Sequence, residues 1–119
     1  MLLFLIGRIV PALLAVVPVC ASAQEGSDQE RRGKALLIEN CSRCHAIERE
    51  GASPHPEAPP FRTLGNRYPV DFLAEALAEG LTTGHPDMPQ FVFEPDEVGA
   101  ILAYLRSLQR PESAPRSKR

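Results

Sequence analysis

In the stretch NCSRCHAIE, Cys41 and Cys44 stand three positions apart and His45 follows the second cysteine directly. Two thiols at i and i+3 on a helical turn project to one side. That disposition suits thioether bonds to the two vinyl groups of a porphyrin. His45 is then carried under the iron, where its imidazole can bind as the proximal ligand. C-x-x-C-H therefore predicts a c-type haem attached through Cys41 and Cys44, with His45 on the metal. The same residues also suit a redox dithiol, half of a zinc site or a local disulfide. A thioredoxin-like dithiol belongs in a βαβ setting, and no such pattern follows. A zinc site has no second cysteine pair to draw on and would have to recruit His55 or His85.

A haem iron has a sixth position, and Met88 is the candidate for it. It is the only methionine besides Met1, and it lies in a loop between Pro86 and Pro89. The prolines restrict the backbone and would hold the thioether in place. A soft sulfur opposite histidine raises the reduction potential. The competing use of Met88 is to fill a gap in the core. His85, three residues earlier, is the rival ligand; otherwise it and His55 read as surface histidines.

The elements that position these residues read as helices. Ser27 and Glu30 form an S-x-x-E capping-box signal, so a helix is expected from about Asp28 into the CSRCH turn. It carries Ala35, Leu36, Leu37 and Ile38, with Gly33 one turn earlier. Glycine weakens a helix relative to alanine, which makes sense at Gly33 if another helix crosses closely there. Residues 51–60, GASPHPEAPP, read as a loop. Phe61 and Leu64 then offer apolar contacts. Pro69 suits a helix start, Phe72, Leu73, Ala76 and Leu77 follow at helical spacing, and Gly80 reads as the stop. The segment LTTGHPDMPQFVF is broken by prolines. Pro95, Asp96 and Glu97 open a last helix with Val98, Ile101, Leu102, Leu105 and Leu108 on its apolar side. Its early acids and Arg106 and Arg110 near its end suit the helix dipole. Among these patterns no strand longer than Phe91-Val-Phe93 and no internal repeat is seen.

Residues 1–23 are apolar with one charge, Arg8, and end in Ala21-Ser22-Ala23, an A-x-A site for a signal peptidase. The uninterrupted apolar stretch from Ile9 to Ala21 is short against the roughly 20 residues that span a bilayer. Residues 1–23 are therefore expected to be a signal peptide cleaved after Ala23, with an uncleaved membrane anchor as the alternative. A lipoprotein cysteine at Cys20 is disfavoured by Val19, where such sites need a small residue. Cleavage removes 23 of the 119 residues, Cys20 and Arg8 among them. The 96 left make one domain with a small core, to which a covalently held porphyrin would add a large apolar body. The expected organisation is a haem domain over residues 24–110 and a disordered polar tail over 111–119. Twelve basic residues then face 15 acidic ones, so no basic surface for nucleic acid is implied.

With CSRCH, the downstream DMPQF loop and the flanking helices placed, the chain resembles a class I c-type cytochrome, closest to the small exported mono-haem cytochromes of bacteria. The resemblance covers nearly all of the chain after residue 23. It implies an all-α fold, the cytochrome c fold, with about three main helices plus loops packed around one covalently attached haem c. Gly33 and Leu37 match the first-helix residues that meet an aromatic of the last helix, and Tyr104, followed by Leu105, matches that aromatic. The resemblance also implies a proline whose carbonyl accepts a hydrogen bond from the proximal histidine. Pro59 is the best match and Pro60 the alternative, with Phe61 packing on the haem. Lys34 and Lys118 are the only lysines. The chain thus departs from the mitochondrial type, which docks acidic partners through a lysine-rich face.

The implied function is one-electron transfer in the bacterial periplasm, with His45 and Met88 as axial ligands and redox proteins as partners. No enzyme activity of its own and no stable membrane insertion after cleavage are expected. The alternatives are an electron-accepting subunit of a dehydrogenase or oxidase complex and, with a vacant sixth site, a haem sensor or peroxidase.

Overall fold

The computed structural model describes residues 21–80 and 85–111. The expected signal peptide as far as residue 20, Cys20 included, and the expected tail from residue 112 lie outside the described residues. The fold is all-α: α1 (Ala21–Asn40), α2 (Leu73–Glu79) and α3 (Pro95–Gln109), with 3-10 helices at Phe61–Asn66 and Val70–Phe72. No strand occurs among the described residues.

α3 is specified most locally. Pro95 sits in its first turn, and Glu94 and Glu97 form a reciprocal capping box that satisfies two orphan N–H groups. Its apolar residues at helical spacing give a continuous buried face, with Ile101 fully buried and Val98, Leu102, Leu105 and Leu108 nearly so. Ser107 is buried as well, its hydroxyl donating to the Tyr104 carbonyl at 2.6 Å. At the far end, Arg49 donates to the Ser107 and Arg110 carbonyls at 2.5 and 3.1 Å. A cation there caps the negative end of the helix dipole.

α1 differs from its expected start. Ser27 is inside the helix, where its hydroxyl donates to the Gln24 carbonyl at 2.8 Å rather than capping a new N-terminus. A serine that bonds back along the chain has no free oxygen aimed at the following amides, so it marks no boundary. Of the four consecutive apolar residues, Leu37 is buried while Ala35 and Ile38 face water, Ile38 at 51% exposure. Four successive helical positions go once around the cylinder, so only the side bearing Gly33 and Leu37 can face α3.

That side makes the most extensive helix pairing in the fold. A Cβ placed on Gly33 would lie 1.9 Å from the Ala100 carbonyl oxygen and 2.5 Å from its carbon. Both obstacles are backbone, which cannot rotate aside. Gly33→Val should therefore push α1 off α3 and lower stability by about 3 kcal/mol, the upper end of ordinary overpacking. Denaturant unfolding of the holoprotein reads this, and a parent-like midpoint would place the tight crossing elsewhere.

Ion pairs fringe the packed faces. Arg32 meets Asp96 at 2.7 Å and Arg110 meets Glu30 at 2.7 Å, both joining α1 to the α3 region, while Arg106 pairs with Asp71. Hydrogen bonds from Arg106 and Arg32 hold the Asp71 and Asp96 carboxyls below their ordinary value of 3.8. A carboxyl depressed in the folded state contributes stability in full above its ordinary value and loses it as pH falls through the depressed one. These pairs should therefore leave stability flat above pH 3.8 and weaken it below. An Asp71→Asn, Asp96→Asn variant should show a shallower acid limb in its thermal midpoint. The pairs are exposed, so the effect is small and salt-sensitive.

The middle of the chain is more irregular than its spacing suggests. Pro69 precedes a 3-10 helix, not α2 itself, and α2 has only seven residues. Phe72 is 74% exposed, and the buried anchor is Val70. Gly80 ends α2 at φ 104°, a left-handed conformation that favours glycine. The Phe93 amide donates to the Leu77 carbonyl at 2.9 Å, tying the segment that leads into α3 back onto α2.

Candidate functional site

The CSRCH turn continues the end of α1. The Cys41 amide donates to the Leu37 carbonyl at 2.9 Å, and the Cys44 and His45 amides donate to the Cys41 carbonyl at 3.1 and 2.9 Å. Asn40 and Ser42 donate side-chain hydrogen bonds to the Leu36 and Ile38 carbonyls at 2.8 and 2.6 Å, so the last carbonyls of α1 are occupied. The turn that carries both cysteines and the histidine is therefore held by the helix before it.

The turn opens on a cleft of about 270 Å³ between α1, α2 and α3. Its walls are mostly aliphatic and aromatic: Leu37, Phe61, Leu64, Leu77, Ile101 and Leu105 from the helices, and Phe91 and Phe93 from the segment before α3. Cys41, Cys44 and His45 lie on one side of its lining. Pro59, Phe61 and Met88 line it too, so the fold gathers these six candidate haem-binding residues around one apolar space.

His45 is buried and oriented. Its Nδ1 donates to the Pro59 carbonyl at 2.8 Å, so of the two adjacent prolines it is Pro59 that the ring meets. The bond occupies Nδ1 and leaves Nε2 as the nitrogen able to bind a metal, with its donor strength raised. Phe61 packs beside it, ring centroids 4.7 Å apart at 31°. Phe61 is itself fixed by its amide donating to the Ala46 carbonyl at 3.0 Å and its carbonyl accepting from the Gln109 side chain at 2.9 Å. The Tyr104 hydroxyl donates to the Ile47 carbonyl at 2.9 Å, pinning the chain just after His45 to α3.

Burial, and secondarily the neighbouring Cys44, pushes the Cys41 thiol up to about 11. A thiol with that value stays protonated in neutral water. A thioredoxin-like dithiol belongs in a βαβ setting, and no strand occurs among the described residues, so the redox-dithiol alternative lacks its fold. Two thiols on one helical turn, an imidazole with its second nitrogen already engaged, and apolar walls together fit a covalently attached porphyrin.

Met88 is half-buried in a turn whose amide donates to the His85 carbonyl at 3.3 Å. His85 and His55 are not the isolated surface histidines that the sequence suggests. The His85 Nε2 is hydrogen-bonded to the Glu57 carboxylate, which holds that carboxyl below its ordinary range. The His55 Nδ1 accepts from the Glu57 amide at 3.2 Å, and the two imidazoles meet edge to face at 5.2 Å. Both line the cleft edge. Sequence reasoning also passed over Leu73, Leu77 and Phe91 as wall residues. The only sign of the aromatic pair was the Phe91-Val-Phe93 alternation, which stacks Phe91 on Phe93 at 6.1 Å and leaves Val92 exposed.

The cytochrome c family model matches residues 30–109. Among curated proteins, the cytochrome c-552 of Bradyrhizobium diazoefficiens is 33% identical over 91 residues, 76% of this chain and 79% of its own. A cytochrome c-553-like protein of Synechocystis sp. is 31% identical over 77 residues, 65% of this chain and 67% of its own. No solved structure gives a significant match.

Proposed function

The chain belongs to the cytochrome c family, and from that premise we propose that it is a periplasmic one-electron carrier with His45 and Met88 as axial ligands. Membership makes it an electron-transfer protein carrying covalently attached haem c, working with redox partner proteins. In the proposed arrangement Cys41 and Cys44 carry the two thioethers. When bound, the haem supplies an iron that accepts and returns one electron between Fe(III) and Fe(II). The protein's part is to bind, orient and exclude water. The Pro59 carbonyl keeps the His45 proton on Nδ1, and Phe61 and the aliphatic walls keep the cleft dry.

The observation that carries this proposal is that Met88 and His45 line the same apolar cleft, beside both cysteines. Were His45 and Met88 both to hold the iron, no substrate would have a place on it, which favours the carrier over the sensor or peroxidase. The test is the absorption spectrum of the oxidised protein. Sulfur ligation should give a weak near-infrared sulfur-to-iron charge-transfer band, and the reduced protein should not bind carbon monoxide at neutral pH. A missing band together with carbon monoxide binding would reject the ligand pair.

The mature protein in this proposal begins after Ala23, with the haem domain over residues 24–110. No helix among the described residues is long and apolar enough to cross a membrane. Osmotic-shock fractionation tests the location: haem-stained protein of the cleaved mass should leave with the periplasm. Full-length mass in the membrane pellet would favour the anchor.

A further inference from the structure

At the open edge of the cleft, His55, His85 and Asp87 each offer a ligand atom, and these atoms lie within 4.8 Å of one another. Glu57 joins them through its carboxylate on His85. We propose that these residues, which also line the cleft, form a second metal site, distinct from the haem iron, that takes a divalent first-row cation of the zinc class and fastens the Met88 loop to the Pro59 loop.

The donor set selects the ion. Two imidazole nitrogens with one or two carboxylate oxygens suit zinc and its neighbours, whereas calcium and magnesium prefer all-oxygen sites. Zinc takes such ligands at about 2.0–2.2 Å in a tetrahedron, which sets neighbouring donors a little over 3 Å apart. His55 Nε2 and Asp87 Oδ2 are already 3.6 Å apart. The remaining donors, within 4.8 Å of one another, need to close by at most about 1.5 Å to reach a tetrahedral edge. The side chains that must move are half-buried or exposed: His55 is 29% exposed, His85 33% and Asp87 71%.

The hydrogen bonds in the free protein show what the ion would replace. A proton now bridges His85 and Glu57, and His55 faces Asp87. A cation takes the imidazole lone pairs and the carboxylates together and releases protons. The hydrogen bond on His55 opposes it. Ligation through His55 Nε2 moves that ring's proton to Nδ1, which gives up the 3.2 Å bond from the Glu57 amide. Arg43 lines an adjoining open cleft with His55 and Asp87, and its charge also tempers the affinity. The expected site is therefore a moderate one, filled and emptied with zinc supply.

The ligands come from two loops with different tasks. Asp87 directly precedes Met88 and His85 is three residues before it, while Glu57 is two residues before Pro59. A bound ion would cross-link the loop offering the sixth ligand to the loop that orients His45. It would also set positive charge beside the cleft, which favours the reduced iron.

Calorimetric titration of the tag-free holoprotein with zinc chloride tests this. One equivalent should bind saturably, raise the thermal midpoint and shift the reduction potential upward. Magnesium at the same concentration should not compete. His55→Ala and Asp87→Asn should each weaken zinc binding at least tenfold, with circular dichroism confirming that each variant is folded. Zinc binding unchanged in both variants, or none that saturates below about 1 mM, the weak end of the affinity scale, overturns the site. The titration reads zinc directly, and the near-infrared band separates the two failures: lost zinc binding with the band present rejects the site alone, whereas His85 on the iron would remove the band and the zinc site together.

Discussion

A Cys41→Ser, Cys44→Ser variant, expressed with cytochrome maturation machinery, should yield a chain whose intact mass is that of the bare polypeptide. Its band on a denaturing gel should give no haem peroxidase stain, whereas the parent band stains. The substitution deletes only two sulfur atoms, yet the loss should extend to the fold. The cleft walls come from α1, α2, α3 and both connecting segments. Without a covalently held porphyrin those apolar walls face water or collapse on one another. A small domain has little other apolar burial to set against its conformational entropy. The far-ultraviolet helical signal of the variant should fall to a minor fraction of the parent's. Serine keeps the size and hydrogen bonding of the turn, so the loss reads the thioethers rather than local disruption. An unstained parent, or a double variant that keeps its covalent haem, would overturn the assignment of Cys41 and Cys44.

Met88→Ala should produce the second large effect, on the iron rather than on the fold. The thioether is replaced by a methyl group too short to reach a metal. The near-infrared charge-transfer band should vanish, the reduction potential should fall, and the reduced protein should go from no detectable carbon monoxide binding to one equivalent. The covalent haem and most of the helical signal should remain, because Met88 lies on a loop outside the described helices. Met88→His restores a sixth ligand but not the sulfur, so it should close the iron to carbon monoxide without recovering the band. His85→Ala is the informative companion. His85 is engaged with Glu57 and His55, so its removal should leave the band intact. A band that survives Met88→Ala, or that His85→Ala abolishes, would move the ligand assignment away from Met88.

What the sequence revealed depended on whether the relevant physics was local. α3 was legible from end to end because Pro95, its acids and its 3.6-residue apolar spacing all act within the helix. The close crossing at Gly33 was legible as a need, since a glycine in mid-helix asks for a neighbour, though the neighbour proved to be the Ala100 carbonyl. The start of α1 was misread because S-x-x-E is the same string whether serine caps a helix or sits inside one. Only the Gln24 carbonyl decides between them. Phe72 was counted with the buried face of the middle helix, but the two 3-10 helices before α2 change the angular step per residue and turn it outward. The choice of Pro59 over Pro60 required the path of the loop, since both carbonyls stand equally near in sequence. The His55, His85, Glu57 and Asp87 cluster joins two loops, and no spacing rule connects residues across that distance.

The clasp between the first and last helices also bears on when the protein can fold. Arg32 and Asp96 are 64 residues apart in sequence, and Glu30 and Arg110 are 80 apart. Each doubling of a loop adds only about 0.6 kcal/mol to its closure, so this distance is no great burden at equilibrium. It matters for the order of events. A chain emerging from its N-terminus presents α1 and the CSRCH turn early, while the face that must cover Gly33 and Leu37 arrives almost last. Until then the nascent helix has no partner, and Cys41, half-buried in the finished fold, stays open to solvent and to whatever chemistry modifies it. Docking of α3 then acts as the closing step. It completes the cleft wall only after the whole domain has been delivered, so the topology itself provides the interval in which a cofactor can be installed.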